Sequence, residues 1–481
     1  MAESTEAAEV SAEPTTSPRR GPLIAVAAVL ATVTNAVAFM LPPLLPLMQA
    51  QFRLGVSAST WIFTALTLGG GAGFVVIPRL ADVLNDRITC LLSGGCLTVG
   101  ALIPAVGDSY PTLLVGSVLL GFGGAAQLLP LGFLRRHLSG GAVATAVSVL
   151  IMATGSGTVL GMVGGGLTVK TLSLSAFFYI LAAAFAATTV ALLVVVPASR
   201  PESHERIGVL GAVSMIGWVT AVLLALTQGQ IWGNAALYLL VGGVVAGVVW
   251  AVVQRRAKHA VFDLTVLKER FVTPACFAAG LFGAIDAAFL VLVSYYTQTP
   301  KAAGYGLGVD ALGTGLLMLP FALMMFVGGK AAERAVHKGH AASVLVVGAG
   351  VSVLGLGWLA FAHQQAWQYL VGAALVGAGS RVGYSGAFAV PQLVVPEHKA
   401  GMAAGIPGTV MAIGFAFGSA LISGLLTVAT VPQVGVPEPY LYTDGFLITC
   451  GLAVLVLVVT GVSRLRHRGE HLVFAQEAQE A

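Results

Sequence analysis

The sequence predicts an all-α membrane protein of fourteen transmembrane helices, built as two six-helix pseudo-repeat bundles with two further helices inserted between them. Three observations carry this reading. Hydrophobic residues make up 57% of the 481 and charged residues only 9%, with a mean hydropathy of +0.91. A soluble domain carries about 25% charged residues, so this chain has too little polar surface to face water. Second, apolar stretches of about 20 residues, enough to cross ~30 Å of hydrocarbon, recur along the whole chain. Third, Lys and Arg fall almost entirely in every second loop.

Taken in order, residues 1–21 are rich in Glu, Ser, Thr and Pro and end in Arg19-Arg20. They lack the basic-then-apolar order and the small-residue cleavage site of a removable signal, and read as a disordered cytoplasmic tail. Spans follow at 22–48, 57–78, 88–107, 112–134, 143–167 and 175–197, forming a first bundle over 22–197. The first span carries Pro42, Pro43 and Pro46, where a bend is expected. Residues 198–270 hold a linker and the two inserted spans, 207–228 and 234–253. The second bundle, 271–463, holds spans at 271–297, 309–329, 341–362, 367–391, 401–428 and 444–463. Residues 464–481 form a second cytoplasmic tail.

Charge placement tests the count. With the N-terminus inside, the cytoplasmic segments hold 20 of the 24 Lys and Arg; only Arg53, Lys170 and Lys301 lie outside, and Arg381 lies within a span. Adding or dropping one helix would reverse every downstream assignment and destroy the bias. Both termini are therefore expected on the cytoplasmic side of the cell (inner) membrane.

The turns after spans 2 and 10 share an acid and a base: Arg79, Asp82, Asp86 and Arg87 in the first, and Lys330, Glu333, Arg334 and Lys338 in the second. That pairs spans 1–6 with spans 9–14 as parallel repeats, a plan in which a ligand sits near the bilayer midplane between the halves. On these features the chain resembles the major facilitator superfamily, in its fourteen-span drug:proton antiporter branch. Leu80, Ala81, Asp82 and Arg87 match the loop signature of that family, while Pro78, Asn85 and Asp86 depart from it. Gly157, Gly161, Gly165 and Gly166 resemble the antiporter glycine motif, with Met162 in place of its proline. Leu226-Thr227-Gln228-Gly229, Trp232-Gly233 and Phe262-Asp263-Leu264 resemble the insert of the branch. Ser117 stands where the fourth span usually carries arginine, and the first span has Asn35 but no aspartate. The resemblance implies a secondary carrier exporting an apolar or amphipathic compound, a drug or natural product, against protons by alternating access. It also implies a conformational role for Asp82 and Arg87 at the interface of the halves.

Only one of the 20 acids, Asp286, falls squarely inside a span, and only one base, Arg381. A charge at the bilayer centre costs at least ~2.5–3.5 kcal/mol, so such residues face a cavity or a partner. The functional reading has Asp286 load and release a proton while Arg381 tunes its affinity. The structural alternative is a permanent ion pair fastening span 9 to span 12. Asn35, Gln127, Tyr295, Tyr296 and Tyr384 are the other candidates for a mostly apolar cavity with a few orienting polar groups; the alternative for each is a helix–helix hydrogen bond worth ~0.6 kcal/mol. Gly157, Gly161 and Gly165 recur every four residues, which permits close helix approach, as a gating interface or as plain packing.

Other functions are weaker. Cys90, Cys96, Cys276 and Cys450 show no metal-ligand spacing and read as small apolar residues. No phosphate-binding G-x-x-x-x-G-K-[ST] loop is present, so ATP is not the expected energy source, and no cofactor is expected. The partners expected are a small molecule, protons and lipid, with no nucleic acid, for a monomer. An uncoupled or lipid-directed carrier, or a membrane receptor on the same scaffold, are the competing readings. An intramembrane enzyme lacks a second catalytic group at depth.

Overall fold

The computed structural model describes residues 20–84, 86–129, 134, 141–196, 209–256, 272–394, 400–431 and 435–466. The two tails (1–19 and 467–481) and the linker residues 197–208 and 257–271, including Phe262-Asp263-Leu264, lie outside the described residues.

Fourteen α-helices are present among the described residues, each coinciding with one apolar stretch of the sequence. They are α1 (Arg20–Gln51), α2 (Val56–Val83), α3 (Asp86–Gly107), α4 (Tyr110–Gly124), α5 (Gly141–Thr171), α6 (Leu174–Val195) and α7 (Val209–Trp232). Then come α8 (Asn234–Arg256), α9 (Val272–Gln298), α10 (Ala311–His337), α11 (Ala341–Phe361), α12 (Ala366–Val394), α13 (Ala400–Leu426) and α14 (Pro439–Arg466). Nine of them, among the described residues, are long and apolar enough to cross a bilayer. Helix α4 is short because a 3₁₀ turn, Ala125–Leu128, follows it directly.

Local chemistry sets several helix starts. The Ser173 hydroxyl accepts from the Ala176 N–H at the head of α6, and Asp310 Oδ1 accepts from the Gly313 N–H at 2.8 Å at the head of α10. Each satisfies one of the unpaired N–H groups of a first turn. At the head of α4, Pro111 occupies the first turn, where its missing N–H costs nothing, and the Thr112 hydroxyl accepts from the Ser109 N–H.

Helix pairing follows small residues. In the first six helices α1 packs on α5, α2 on α4, and α3 on both α4 and α6. In the last six α9 packs on α13, α10 on α12, and α11 on both α12 and α14. Gly157 and Gly161 of α5 lie against the carbonyls of Thr32 and Ala36 on α1, and a Cβ at either would collide with them. Gly414 and Gly418 of α13 do the same against Gly280 and Ala284 of α9. With no hydrophobic drive between helices in lipid, such close backbone contact is the main source of cohesion.

Two contacts join the sets directly, α2 with α13 and α5 with α10, while α1 also touches α9. The pair α7–α8 sits to one side, with α7 on both α2 and α13; Met215, Val219 and Leu223 of α7 pack with Ala416 and Ala420 of α13. Trp218 and Trp250 tie that pair together, their rings 6.2 Å apart, and Trp250 Nε1 donates to the Gly211 carbonyl. Helix α8 is exposed along nearly its whole length through Leu237, Val241, Val244, Val248 and Val252, a face suited only to lipid. Helix α9 is the opposite case, enclosed by α1, α10, α12, α13 and α14.

Candidate functional site

A cavity of about 490 Å³ lies at the centre, lined by α1, α2, α4 and its 3₁₀ turn, α5, α9, α10, α12 and α13. Its wall is mostly aromatic and apolar: Phe39, Phe63, Phe74, Met325, Phe326, Phe388, Met411 and Phe415. The polar groups are few, as in small-molecule sites generally.

Asp286, on enclosed α9, is fully buried and reaches the cavity wall. The Ser380 hydroxyl of α12 donates to its Oδ1 at 2.5 Å. Its Oδ2 has no partner, and the Tyr384 hydroxyl, beside the same carboxylate, has none either. Tyr384 is four residues beyond Ser380, one turn further along α12, so helix geometry aims both at Asp286. Tyr384 is held by ring contacts to Phe282, 5.7 Å away, and Phe388, 6.4 Å away.

Arg381 lines the same cavity but does not pair with Asp286. Its charge faces Glu333 of α10, and its guanidinium lies against Gly329, where an added Cβ would sit 2.8 Å from Nε. The alternative of a permanent ion pair between span 9 and span 12 is not what links them: Ser380 makes that contact with Asp286. Arg381 follows Ser380 by one residue, about 100° round the helix, and that rotation carries it towards α10.

Asn35 and Gln127 also line the cavity. Asn35 Nδ2 donates to the Thr154 carbonyl and the Thr158 hydroxyl, both at 2.7 Å, and so bridges α1 to α5 at the wall. Gln127 is presented by the 3₁₀ turn after α4.

Tyr295 and Tyr296 do not line it, which corrects the sequence expectation. They lie more than two turns beyond Asp286 on α9. Tyr295 meets the Ser59 hydroxyl of α2 at 2.5 Å. Tyr296 turns the other way, into an aromatic cluster with Tyr305, His363, Tyr369 and Tyr442, ring centroids 5.0–5.8 Å from its own. The two side chains point about 100° apart round the helix, Tyr295 to α2 and Tyr296 to that cluster.

Gly157, Gly161 and Gly165 all face α1, Gly165 against Met40. The contacts of α5 with α10 come from other positions: Gly155 against Phe326, the Met162 carbonyl against Gly315, and Gly166 against Leu312. The glycine row therefore packs α5 onto α1, and a neighbouring face of α5 carries the crossing to α10. Asp82 falls in the last turn of α2, with its side chain outside the described residues; Arg87 is exposed in the first turn of α3.

The polar crossings between the two helix sets cluster at one end, that of the α1–α2 loop. Besides Ser59 with Tyr295, Thr64 meets Ser419 at 2.8 Å, and Gln298 Nε2 donates to the Pro43 carbonyl at 2.8 Å. Lys170 Nζ pairs with Asp310 Oδ2 at 3.1 Å. Asp310 lies outside the membrane-spanning helices, and the Gly313 N–H, then Lys170, hold its carboxyl below the usual range. The cavity residues lie instead about midway along α1, α2, α5, α10 and α13, and on the portions of α4 and α12 nearer their C-terminal ends. Those crossings close the space at the α1–α2 end.

Sequence comparison places this architecture. Residues 27–419 match the profile of the Major Facilitator Superfamily. The chain belongs to that superfamily. It is 26% identical over 395 residues to Multidrug resistance protein Stp of Mycobacterium tuberculosis, covering 79% of this chain and 71% of that one. It is also 26% identical over 408 residues to the Multidrug efflux pump LfrA of Mycolicibacterium smegmatis, covering 82% and 78%. A crystal structure of the POT family transporter PepTSo superposes with a TM-score of 0.66 at 15% identity, covering 94% of this chain and 99% of that one. As a superfamily member the chain is a multi-pass membrane transporter and not an enzyme.

The aromatic wall from α2 and α13 was not legible in the sequence, because lipid-facing and cavity-facing apolar residues look alike there. Ser380 had a usable signal: it opens a polar run, Ser380, Arg381, Tyr384 and Ser385, inside an apolar span.

Proposed function

We propose that this chain is a proton-driven exporter of apolar or amphipathic small molecules, working by alternating access as a monomer. It crosses the cell (inner) membrane fourteen times with both termini in the cytoplasm. Helices α1–α6 and α9–α14 form its two halves, and α7–α8 are the insert. The pairing of α1 with α5, α2 with α4 and α3 with α6 recurs eight helices later, and this supports the repeat. With that orientation the closed α1–α2 end faces outward and the cavity faces the cytoplasm, where a compound would be collected.

The observation that carries the reading is Asp286: the carboxylate is buried on the cavity wall, bonded by Ser380 through one oxygen and unpartnered at the other. That oxygen is the place for a transported proton, and the neighbouring space is the place for the compound. Competition of the two for one small region is the simplest basis for exchange. The names of Stp and LfrA, multidrug resistance and multidrug efflux, support small-molecule export.

The test is compound accumulation in an efflux-deficient bacterial host expressing wild type or Asp286→Asn at matched levels, with and without a protonophore. Lower accumulation with wild type, abolished by both the substitution and the protonophore, is expected. Export that survives Asp286→Asn unchanged would overturn the role given to Asp286.

A further inference from the structure

The cavity wall carries one acid, Asp286, and one base, Arg381, and the two are held apart. Asp286 stands on α9, bonded to Ser380. Arg381 is held away from it, its guanidinium laid against the backbone of α10 at Gly329. The cavity borders that guanidinium. A second cation, the exposed Lys330, stands behind the wall at this corner. Lys330, next to Gly329, places Nζ 4.9 Å over the ring of Phe326, which itself lines the cavity. Against these two cations the corner has one acid, Glu333, one turn further along α10.

We propose that this corner, formed by Arg381, Lys330 and Phe326, is an anion subsite, so that the transported compounds are preferentially amphipathic monoanions: an aromatic body bearing a carboxylate, phenolate or enolate. The inference rests on the export reading above and names its substrate class. The physical case has three parts. A guanidinium presents five donors in a planar fork that fits a carboxylate bidentately. In a mostly apolar chamber such a group is under-solvated, and an anionic ligand repays that deficit where a neutral or cationic one does not. Phe388, seven residues after Arg381 on the same face of α12, and Phe326 opposite bracket the corner with flat apolar surface, so ring and charge are met together. Gly329 matters because it lets the fork lie flat on α10; a side chain there would push it away.

The experiment uses purified full-length protein in proteoliposomes and three fluorescent coumarins with one aromatic body: the carboxylate, its primary amide and the corresponding amine. Binding is read by fluorescence, and movement by uptake under an imposed pH gradient. Wild type is expected to bind the carboxylate about tenfold or more tightly than the amide or amine, the scale of a charge-assisted hydrogen-bonded pair. Arg381→Gln is expected to reduce that ratio towards one, Arg381→Lys to keep part of it, and Lys330→Gln to reduce it by a smaller factor. Wild-type binding of the amide or amine as tight as that of the carboxylate overturns the anion subsite, whatever the variants do. An unchanged ratio in Arg381→Gln overturns the assignment to this corner. In either of these cases gradient-driven movement of any coumarin leaves the export reading standing, whereas absence of movement for all three removes both.

Discussion

Asp286 of α9 and Ser380 of α12 are joined by a 2.5 Å hydrogen bond within a core that excludes solvent from both side chains. The bond fixes one carboxylate oxygen and leaves the other turned to Tyr384 without hydrogen-bonding it. A hydrogen bond to an ionised group is worth about 1.5–3 kcal/mol. Ser380 therefore positions Asp286 and favours the form with charge on Oδ1.

Ser380→Ala is expected to leave the protein folded and to shift the pH dependence of transport to lower substrate-side acidity, because the ionised form loses its donor. Tyr384→Phe removes the hydroxyl that stands beside Asp286 Oδ2 and is expected to cost little stability. The pH profile of uptake in proteoliposomes, with melting of the detergent-solubilised protein alongside, checks both. An unchanged profile in Ser380→Ala would show that the bond is only structural.

The row of close contacts between α5 and α1 predicts a stability effect. Gly161→Leu places a side chain against the Ala36 carbonyl and Phe39, an overpacking cost on the order of 1–3 kcal/mol. Gly95→Ala has nothing within 4 Å of the added Cβ and is expected to change stability by about 0.5 kcal/mol or less. Thermal melting of the two variants, followed by size-exclusion chromatography, separates them.

Lys170 and Asp310 clasp α5 to α10 at the α1–α2 end, and both are about half exposed. Lys170→Cys with Asp310→Cys is expected to be joined by a short bifunctional, reducible thiol reagent, which should stop transport until it is cleaved. Transport that persists in the fully cross-linked protein would mean that this end does not open.

The same pair has a defined pH behaviour. The folded-state value of Asp310 is lowered, so its contribution is present above the ordinary aspartate value of ~3.9 and is lost as pH falls through the lowered one. Between about pH 5 and pH 8 Asp310 therefore stays ionised. Asp310→Asn should therefore change the rate of transport without changing the shape of its pH profile over that range, and raised salt should weaken the wild-type pair because it is exposed.

The helices were legible because sustained apolar length marks a membrane helix, and each apolar stretch of the sequence coincides with one. Asp286, Arg381, Asn35, Gln127 and Tyr384 were legible because a polar side chain in an apolar span needs a cavity or a partner. What the residues touch was not. Arg381 lies one residue after Ser380, and the sequence cannot say which of two neighbours on a helix faces α9 and which faces α10. Tyr295 and Tyr296 failed for the same reason, one turning to α2 and the other into its own bundle. Gly157, Gly161 and Gly165 announced close packing, but α1 and α10 flank α5 on adjoining faces, and spacing alone does not choose between them.

Because α9 is surrounded by helices made mostly after it, the order of synthesis bears on assembly. Ser380 lies 94 residues beyond Asp286, roughly 5–20 s of elongation at ordinary rates of synthesis. In the later part of that interval the carboxyl group has left the ribosome and its hydrogen-bond donor has not yet been made. Helix α1, already in place and in contact with α9 in the finished fold, is the early surface able to shelter it from lipid. A chain that stops before α12 would strand the acid in the membrane, a natural mark by which quality control could tell an unfinished copy from a complete one.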